Sequence, residues 1–211
     1  MEDTAFANFS FLGVDASEWW RNGLSMLQWP SELDAFLEFM RENQVRSFLE
    51  VGALSGRLSL MLRDVLQLEK VAACDFIYSP LLQTAKDVAF FCGNHHDPQY
   101  LEWRRVRGHF DMVFIDADHE TGFRPDYEIE RAFPHRFIAF HDIANRAYPA
   151  LLRFWQFEVQ GRKCEFVNSD RTAKFGVPPV RFPFLSCQTL DEYVEQYGYS
   201  CGIGVVGPEE R

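Results

Sequence analysis

The stretch FDMVFIDADHE, residues 110–120, ends a run of apolar residues in a group of acids and a histidine. The apolar run stops at Asp116, and Asp118 and His119 follow closely. A carboxylate beside an imidazole can move a proton, and two carboxylates can hold a divalent cation. Solvated turns at strand ends use the same residue types, so the elements that position these side chains must decide between the interpretations.

The composition indicates one globular domain without nucleic-acid partners. The chain has 211 residues, of which 47% are hydrophobic and 25% charged, and these values are ordinary for a single α/β domain. Its net charge is −10, whereas affinity for a phosphate backbone comes from Lys and Arg. We interpret the short basic group Arg104, Arg105 and Arg107 as a solvated helix end.

The cysteines and the first residues favour a cytoplasmic protein. The five cysteines are odd in number and none forms a C-x-x-C pair, so neither a disulfide framework nor a zinc knuckle is indicated. The segment MEDTAFANFS is acidic where a signal peptide would be basic, and no apolar run approaches about 18 residues. We therefore expect reduced thiols, a cytoplasmic location and no membrane partner.

Short apolar runs alternate with amphipathic segments along the chain. Seven runs are predicted to be strands: RSFLEVG, KVAACDF, VAFFCGN, FDMVFID, HRFIAFHD, KCEFVN and CGIGVVG. Helices are predicted before and between them, among them RLSLMLRDVLQ and SELDAFLEFMRENQ, the latter with Ser31 as its N-cap. The alternation predicts an α/β fold with a Rossmann-like, doubly wound, mostly parallel seven-stranded sheet and helices on both faces.

Charged side chains fall at the predicted carboxyl ends of four strands, at Glu50, Asp75, Asp116 and the pair His141-Asp142. Ligands of such sheets bind beyond the carboxyl ends of the strands. Independent surface carboxylates would have no reason to share this position. The residues that end FDMVFID are therefore predicted to belong to a ligand site.

The first strand-to-helix loop, in FLEVGALSGRL, indicates what the ligand is. Its pattern is E-x-G-x-x-x-G, which is not the G-x-G-x-x-G expected for a dinucleotide. Glu50 before Gly52 and Gly56 would repel a pyrophosphate and attract an amino group. Asp75, at the end of the second strand, can accept both hydroxyls of a ribose. The implied ligand is a nucleoside with a cationic amino-acid tail and no phosphate.

Four motifs carry a resemblance to a known family. FLEVGALSG, ACDF, FDMVFIDADHE and FIAFHDI, in this order and spacing, resemble the class I S-adenosylmethionine-dependent methyltransferases. They are most similar to the small-molecule O-methyltransferase-like branch, which includes macrocin-type sugar methyltransferases. The resemblance covers about residues 28–206 and implies S-adenosylmethionine as the cofactor.

The resemblance also implies roles for matching positions. Glu50 and Gly52 would hold the methionine part of the cofactor, Asp75 the ribose, and Phe76 and Asn94 the adenine. The full set of implied cofactor-binding residues is Gln28, Glu50, Gly52, Ala53, Ser55, Gly56, Asp75, Phe76, Asn94 and Asp116. His95 and His96, directly after Asn94, are expected on a surface loop.

Asp116 and Asp142 end strands that are adjacent in this fold, so both carboxylates should face one cleft. Two hard oxygen ligands suit Mg²⁺, Mn²⁺ or Ca²⁺, and a bound cation would lower the pKa of a substrate hydroxyl. In the metal-dependent O-methyltransferases that the sequence resembles, the third metal ligand is often an Asn or Asp directly after the second acid. This chain has Ile143 at that position and His141 before the acid.

A metal-free alternative uses the histidines. A histidine near its ordinary pKa of about 6.5, oriented by a carboxylate, can take a proton from a hydroxyl. His119 and His141 are the candidates for this base. The predicted catalytic residues are therefore Asp116, His119, His141 and Asp142, of which Asp116 and Asp142 are also the predicted metal ligands.

We predict one methyltransferase domain over residues 1–211. Residues 1–45 form an N-terminal helical cover, 46–168 the cofactor-binding core, 169–200 a loop over the site, and 201–211 the last strand and tail. The cover includes a predicted helix from Ala16 to about Gln28. Trp29 and the aromatic segment Phe175 to Phe184 are candidates for the acceptor pocket.

The leading functional hypothesis is O-methylation of a small molecule or sugar by direct displacement. The alternatives are a catalytically silent S-adenosylmethionine-binding module and a metal-dependent hydrolase that uses the Asp and His residues. A dinucleotide-dependent oxidoreductase is disfavoured by Glu50 and the absent G-x-G-x-x-G. The acceptor and the oligomeric state, a homo-oligomer included, stay open.

Overall fold

The computed structural model describes residues 10–11, 14–15, 28, 30–167 and 201–208. In chain order the strands and helices are β1 (Ser10–Phe11), β2 (Val14–Asp15), α1 (Pro30–Glu42), β3 (Ser47–Val51), α2 (Arg57–Leu66), β4 (Lys70–Asp75), α3 (Pro80–Thr84), β5 (Val88–Cys92), α4 (Pro98–Arg107), β6 (Phe110–Ile115), α5 (Phe123–Glu130), β7 (His135–His141), α6 (Pro149–Phe157), β8 (Arg162–Phe166) and β9 (Ile203–Gly207).

Strands β3 to β9 form one sheet in the spatial order β5-β4-β3-β6-β7-β9-β8. The five strands from β5 to β7 in this order are parallel, whereas β9 runs antiparallel to both β7 and β8. The chain starts in the middle of the sheet at β3 and winds outward in both directions. The predicted seven-stranded, mostly parallel sheet is confirmed.

The central strands are mostly apolar, as a parallel sheet buried on both faces requires, and Glu50 of β3 is a buried exception. Successive side chains of β3 alternate between the faces. Phe48 packs into the cluster that contains Phe36 of α1 and Met61 of α2. Leu49 packs into the opposite cluster, which contains Phe154 of α6. Helices therefore cover both faces, and the carboxyl ends of the strands stay accessible at one edge.

The helix predicted with Ser31 as its N-cap, and hence Glu32 as its first residue, begins two residues earlier. Pro30 is the first residue of α1, so Ser31 lies in the first turn. Proline is favoured at the first helical position because the N–H that it lacks would have no intrahelical partner there.

Two short strands were not predicted. β1 and β2 pair in antiparallel fashion within the segment expected to be a helical cover, with Ser10 opposite Asp15. The helix predicted from Ala16, Trp29 and the loop at 169–200 lie outside the described residues. In the part of the chain that is described, no helix has the length and apolar character to cross a membrane.

Candidate functional site

The carboxyl ends of β3, β4, β6 and β7 border a cavity of about 810 Å³. This volume lies in the range of small-molecule and cofactor sites. All predicted site residues line the cavity except Gly56. The cavity thus lies at the carboxyl ends of the strands, near the point where the winding direction of the sheet reverses. A ligand site was predicted from the sequence at this position.

Gly52 lets the first loop approach the chain that follows β6. Its φ is +90°, and a Cβ at this position would lie 2.2 Å from the backbone oxygen of Asp116. Only glycine fits both the left-handed backbone and this close approach. The loop after β3 and the residues after β6 consequently form two walls of one cavity.

Gly56 has a different role from its neighbours in the loop. It precedes α2 with a φ of +79°, and a Cβ there would lie 2.2 Å from the side chain of Leu82. Ala53 and Ser55 line the cavity, whereas Gly56 does not. The geometry of Gly56 serves the contact between α2 and α3.

Glu50 presents a buried carboxyl group to the cavity. Its Oε2 accepts hydrogen bonds from the backbone N–H and the hydroxyl of Ser59, the former at 3.1 Å. Burial raises the pKa of Glu50 to about 8, and the bonds from Ser59 oppose this rise. A cation that arrived beside this group would favour its ionised form.

Asp75 is held in place by two backbone N–H groups. Its Oδ2 accepts from Leu54 at 2.6 Å and its Oδ1 from Ile77 at 2.7 Å. Burial raises the pKa of Asp75, while these two bonds act in the opposite direction. Each oxygen has a further lone pair for a hydroxyl donor. Phe76, next in the chain, is 77% exposed and offers an apolar ring to the cavity.

Four residues at the ends of β6 and β7 form what we call the strand-end cluster: Asp116, His119, His141 and Asp142. Nε2 of His119 lies 3.1 Å from Asp116 Oδ1 and 3.3 Å from Asp142 Oδ2. Nδ1 of His141 lies at the same two distances from the same two oxygens. Two nitrogens and two oxygens thus surround a common centre, all within 4.8 Å of one another.

The charges of the strand-end cluster reinforce one another. Burial opposes the charge on His141, but Asp116 and Asp142 together outweigh it, so the pKa of His141 is raised well above its usual value. Burial likewise opposes the charge on Asp116, yet the two histidines hold its pKa well below the usual range. The pKa of His119 is raised and that of Asp142 lowered for the same reasons. The pKa of both histidines thus lies above the ordinary value of a free imidazole.

One nitrogen of the cluster has an unusual position. Nε2 of His119 is buried between two carboxylate oxygens, yet it makes no hydrogen bond to any residue that the structure describes. A buried nitrogen that has ion-pair contacts but no hydrogen bond is incompletely satisfied. A cation at the common centre would take this nitrogen and the two carboxylates as ligands.

Three further residues support the cluster. Asn145 donates to Asp142 Oδ1 at 2.7 Å, and the ring of Tyr148 stacks on His119 at 4.9 Å. Gln28, predicted as a cofactor residue, donates to Asp116 Oδ2 at 3.5 Å. Asn145 and Tyr148 were not identified from the sequence. The available signal was the segment DIANRAY, in which an asparagine follows the second acid by three positions instead of one.

Asp118 acts as a turn cap on the cavity wall. Its Oδ1 accepts from the backbone N–H of Glu120 at 2.9 Å, and its Oδ2 from the hydroxyl of Thr121 at 2.7 Å. Asn94 also lines the cavity, and its side-chain oxygen accepts from the backbone N–H of His96 at 2.9 Å. His95 and His96 lie in a turn, as expected, with His96 exposed, and both rings also reach Asp126 and line the cavity.

The chain matches no protein-family profile and no curated protein. It does match solved structures. Cofactor-bound Rv0187 from MTB superimposes with a TM-score of 0.58 at 18% identity, over 95% of this chain and 94% of that chain. An O-methyltransferase from Bacillus cereus, in complex with SAH, gives a TM-score of 0.54 at 16% identity, over 82% of this chain and 79% of that one.

The chain has the class I methyltransferase fold. A third structure with this fold is MycE, a methyltransferase of the mycinamycin biosynthetic pathway, in complex with Mg and SAH. It matches with a TM-score of 0.54 at 14% identity, over 92% of this chain and 52% of that chain. The present chain therefore spans about half the length of MycE. At these identities the similarity establishes the methyltransferase fold, as the four sequence motifs predicted.

Proposed function

We propose that the protein transfers a methyl group from S-adenosylmethionine to a hydroxyl of a small molecule or sugar. The observation that carries the proposal is the arrangement of Glu50, Asp75 and the strand-end cluster around one cavity. Glu50 and Asp75 fit the two polar ends of this cofactor, and the cluster fits activation of an acceptor. Neighbours with the same fold that were crystallised with SAH support the cofactor assignment.

The residues of the cavity fit the cofactor group by group. The Glu50 carboxyl, whose pKa is about 8, suits the ammonium of the methionine part, because a cation nearby favours its ionisation. Asp75, fixed by two N–H groups, suits the ribose hydroxyls. Phe76 offers an exposed ring to the adenine. Gly52 lets the loop after β3 contact the backbone of Asp116, which a Cβ would prevent.

S-adenosylmethionine supplies an electrophilic methyl group, so the protein has to position the acceptor and take up its proton. No covalent intermediate with the protein is needed. We assign the acceptor hydroxyl to the space beside His119, which is the less buried of the two cluster histidines. Tyr148, stacked on His119, orients that ring.

A divalent cation fits the strand-end cluster, with Asp116, His119, His141 and Asp142 as its ligands. The buried Nε2 of His119, which has no hydrogen bond within the described part of the chain, supports this fit. Two imidazole nitrogens among four donors favour Mn²⁺, Fe²⁺ or Zn²⁺ over Mg²⁺ and Ca²⁺, which prefer oxygen. A cation here would lower the pKa of a bound hydroxyl.

The metal-free mechanism, with His119 or His141 as the base, remains the alternative. The raised pKa of both histidines argues against a free base, because an imidazole that holds a proton cannot accept another, and a cation would have to displace that same proton. Transfer activity that survives complete removal of divalent cations would favour the metal-free mechanism. Activity that is lost on chelation and restored by Mn²⁺ or Zn²⁺ would support the cation.

Methyl transfer from labelled S-adenosylmethionine to a panel of hydroxylated small molecules and sugars tests the function. The wild type should methylate at least one acceptor class, and His119→Gln should retain binding of S-adenosylhomocysteine and lose transfer. The control His109→Gln alters an exposed histidine that faces Asp111 at 3.1 Å, away from the cavity, and should keep wild-type activity.

Each alternative function predicts a different pattern. A silent binding module would bind S-adenosylhomocysteine but methylate no acceptor under any cation condition. A metal-dependent hydrolase would bind no S-adenosylhomocysteine and would hydrolyse esters or phosphoesters only with the cation present. The cytoplasmic location stays a prediction from the sequence, and so does an acceptor pocket at Trp29 and residues 175–184.

A further inference from the structure

A second group of metal-ligating side chains lies in the same cavity and shares no residue with the strand-end cluster. We call it the His95 cluster: His95, His96 and Asp126. His95 Nε2 lies 2.6 Å from Asp126 Oδ1, and His96 Nε2 lies 2.6 Å from the same oxygen. The two rings are 4.4 Å apart and nearly perpendicular, at 76°. Two imidazole nitrogens therefore converge on one carboxylate.

The two carboxylate oxygens of Asp126 differ in their hydrogen-bond partners. Its side chain is fully buried, and Oδ1 has both imidazoles as partners. Its other oxygen, Oδ2, is also buried and has no hydrogen-bond partner among residues 30–167 or the other described positions. Two neutral imidazoles that each donate to Oδ1 would account for that oxygen and leave Oδ2 with the cost of an unpaired buried acceptor.

The local structure holds the three side chains in place before any ligand binds. The turn between β5 and α4 is closed by bonds to Asn94, whose side chain accepts from His96 N–H and whose backbone oxygen accepts from Asp97 N–H. Asp126 lies in the first turn of α5. One turn later, Glu130 binds Arg104 of α4 at 2.8 Å in the core. The loop and both helices are thus mutually fixed, as a preorganised site requires.

We propose that His95, His96 and Asp126 form a second cation site, which binds a transition-metal dication such as Zn²⁺. Imidazole nitrogen and carboxylate oxygen are the ligands that Zn²⁺ takes in proteins, whereas Mg²⁺ and Ca²⁺ prefer oxygen ligands alone. A cation among these groups would take both Nε2 atoms in place of their protons. It could also bind Asp126 Oδ2.

Among the described residues, such an ion would have three protein ligands, which leave at least one position open. Structural zinc sites close all four positions with protein ligands, while sites that bind small molecules keep one position free. All three residues of the His95 cluster line the cavity, so the free position would face its contents. The site would therefore tie the loop after β5 to α5 and also contact a ligand in the cavity.

The test is a titration of chelator-treated protein with Co²⁺ and with Zn²⁺ in the absence of S-adenosylmethionine. The double substitution Asp116→Asn with His119→Gln serves as the background, because it weakens the strand-end cluster. In this background we expect one equivalent of Co²⁺ to bind and to show the visible absorption of a nitrogen-ligated ion. Because no cofactor is present, the result is independent of the proposed methyl transfer.

Substitutions in that background identify the ligands. His96→Gln alters the most exposed member of the cluster, with a side chain 39% exposed, and should fold normally. We expect it to weaken Co²⁺ binding by about tenfold or more and to abolish the absorption bands. Asp126→Asn should do the same, while His109→Gln, which alters an exposed His–Asp pair elsewhere, should change neither.

Thermal melts measure whether a bound ion stabilises the folded protein. Zn²⁺ should raise the Tm of the background protein and leave the Tm of its His96→Gln derivative unchanged, because only an ion bound to the folded state stabilises it. Melts without metal establish that each variant folds. Equal Co²⁺ binding with and without His96, or no bound Co²⁺ in the background protein, would overturn the proposal and leave the His95 cluster as a hydrogen-bonded clamp.

Discussion

Gly52 and Asp116 touch through their backbones: a Cβ on Gly52 would lie 2.2 Å from the carbonyl oxygen of Asp116. The contact joins the loop after β3, which carries the proposed cofactor site, to the strand-end cluster. The proposed cofactor loop and the strand-end cluster are therefore in contact at a position that no side chain can occupy. A side chain at Gly52 would introduce both a steric overlap and backbone strain, and a control glycine with strain alone separates the two effects.

Gly52→Ala should weaken S-adenosylhomocysteine binding by about tenfold or more. The added Cβ would overlap the backbone of Asp116, so the loop would have to shift away from it. Calorimetric titration measures the effect. Gly108→Ala is a matched control, since Gly108 also has a positive φ, +65°, but no atom of the described residues lies within 4 Å of its Cβ position. If both variants bind as the wild type does, the contact does not shape the site.

The Glu50 carboxyl should make cofactor binding release protons. With a pKa of about 8 in the protein alone, it is mostly protonated at pH 7, and an ammonium beside it requires the ionised form. Affinity for S-adenosylhomocysteine should therefore rise with pH up to about pH 8. Titrations at pH 7 in buffers of different ionisation enthalpy count the released protons. Glu50→Gln should abolish the release, and a release that persists in this variant would contradict the assignment.

Glu50 should also lower the stability of the folded protein at high pH. Burial raises its pKa from 4.5 to about 8, so its protonated form favours folding at low pH and that contribution is lost as pH rises through 8. Glu50→Gln cannot ionise, and its Tm relative to the wild type should increase by about 2–4 °C or more between pH 6 and pH 9. Glu69→Gln, at an exposed pair with Arg46, should show no such trend.

The strand-end cluster should bind one divalent cation with a preference for ions that accept nitrogen ligands. We expect Mn²⁺ or Zn²⁺ to raise the Tm of the wild type more than equal concentrations of Mg²⁺ or Ca²⁺. To exclude the His95 cluster as the source, the comparison uses His96→Gln as the parent. In that parent, His119→Gln should remove the stabilisation and His109→Gln should preserve it. Equal effects of Mg²⁺ and Zn²⁺ would contradict the assigned ligands.

The fold was predictable because its central elements leave a strong local signal. A parallel strand buried on both faces, such as β3, is mostly apolar, and SFLEV is so apart from Ser47 and Glu50. Strand ends in such sheets face one edge, so Glu50, Asp75 and Asp116 could be assigned to one site without coordinates. The antiparallel direction of β9 left no comparable signal, because it depends on pairing with β7 and β8, which are distant in the sequence.

The parts of the site that escaped prediction depend on how side chains converge in space. Asp126 and His95 are separated by 31 positions, and no periodicity brings them together. Asn145 reaches Asp142 through a turn whose first residue has a φ of +63°, which residue type alone does not reveal. The raised pKa of Glu50 follows from the depth of its burial, and burial depth is a property of the packed fold.

The central claim is that Glu50 and Asp75 hold S-adenosylmethionine. Calorimetric titration with S-adenosylhomocysteine tests it most directly, with wild type, Asp75→Asn and the surface control Asp87→Asn, which alters a side chain 65% exposed. We predict micromolar binding to the wild type and to Asp87→Asn, and a loss of about tenfold to a hundredfold in Asp75→Asn, because each bond to the charged carboxylate contributes roughly 1.5–3 kcal/mol. Absence of binding to the wild type, with or without Mn²⁺ or Zn²⁺, would contradict the methyltransferase function.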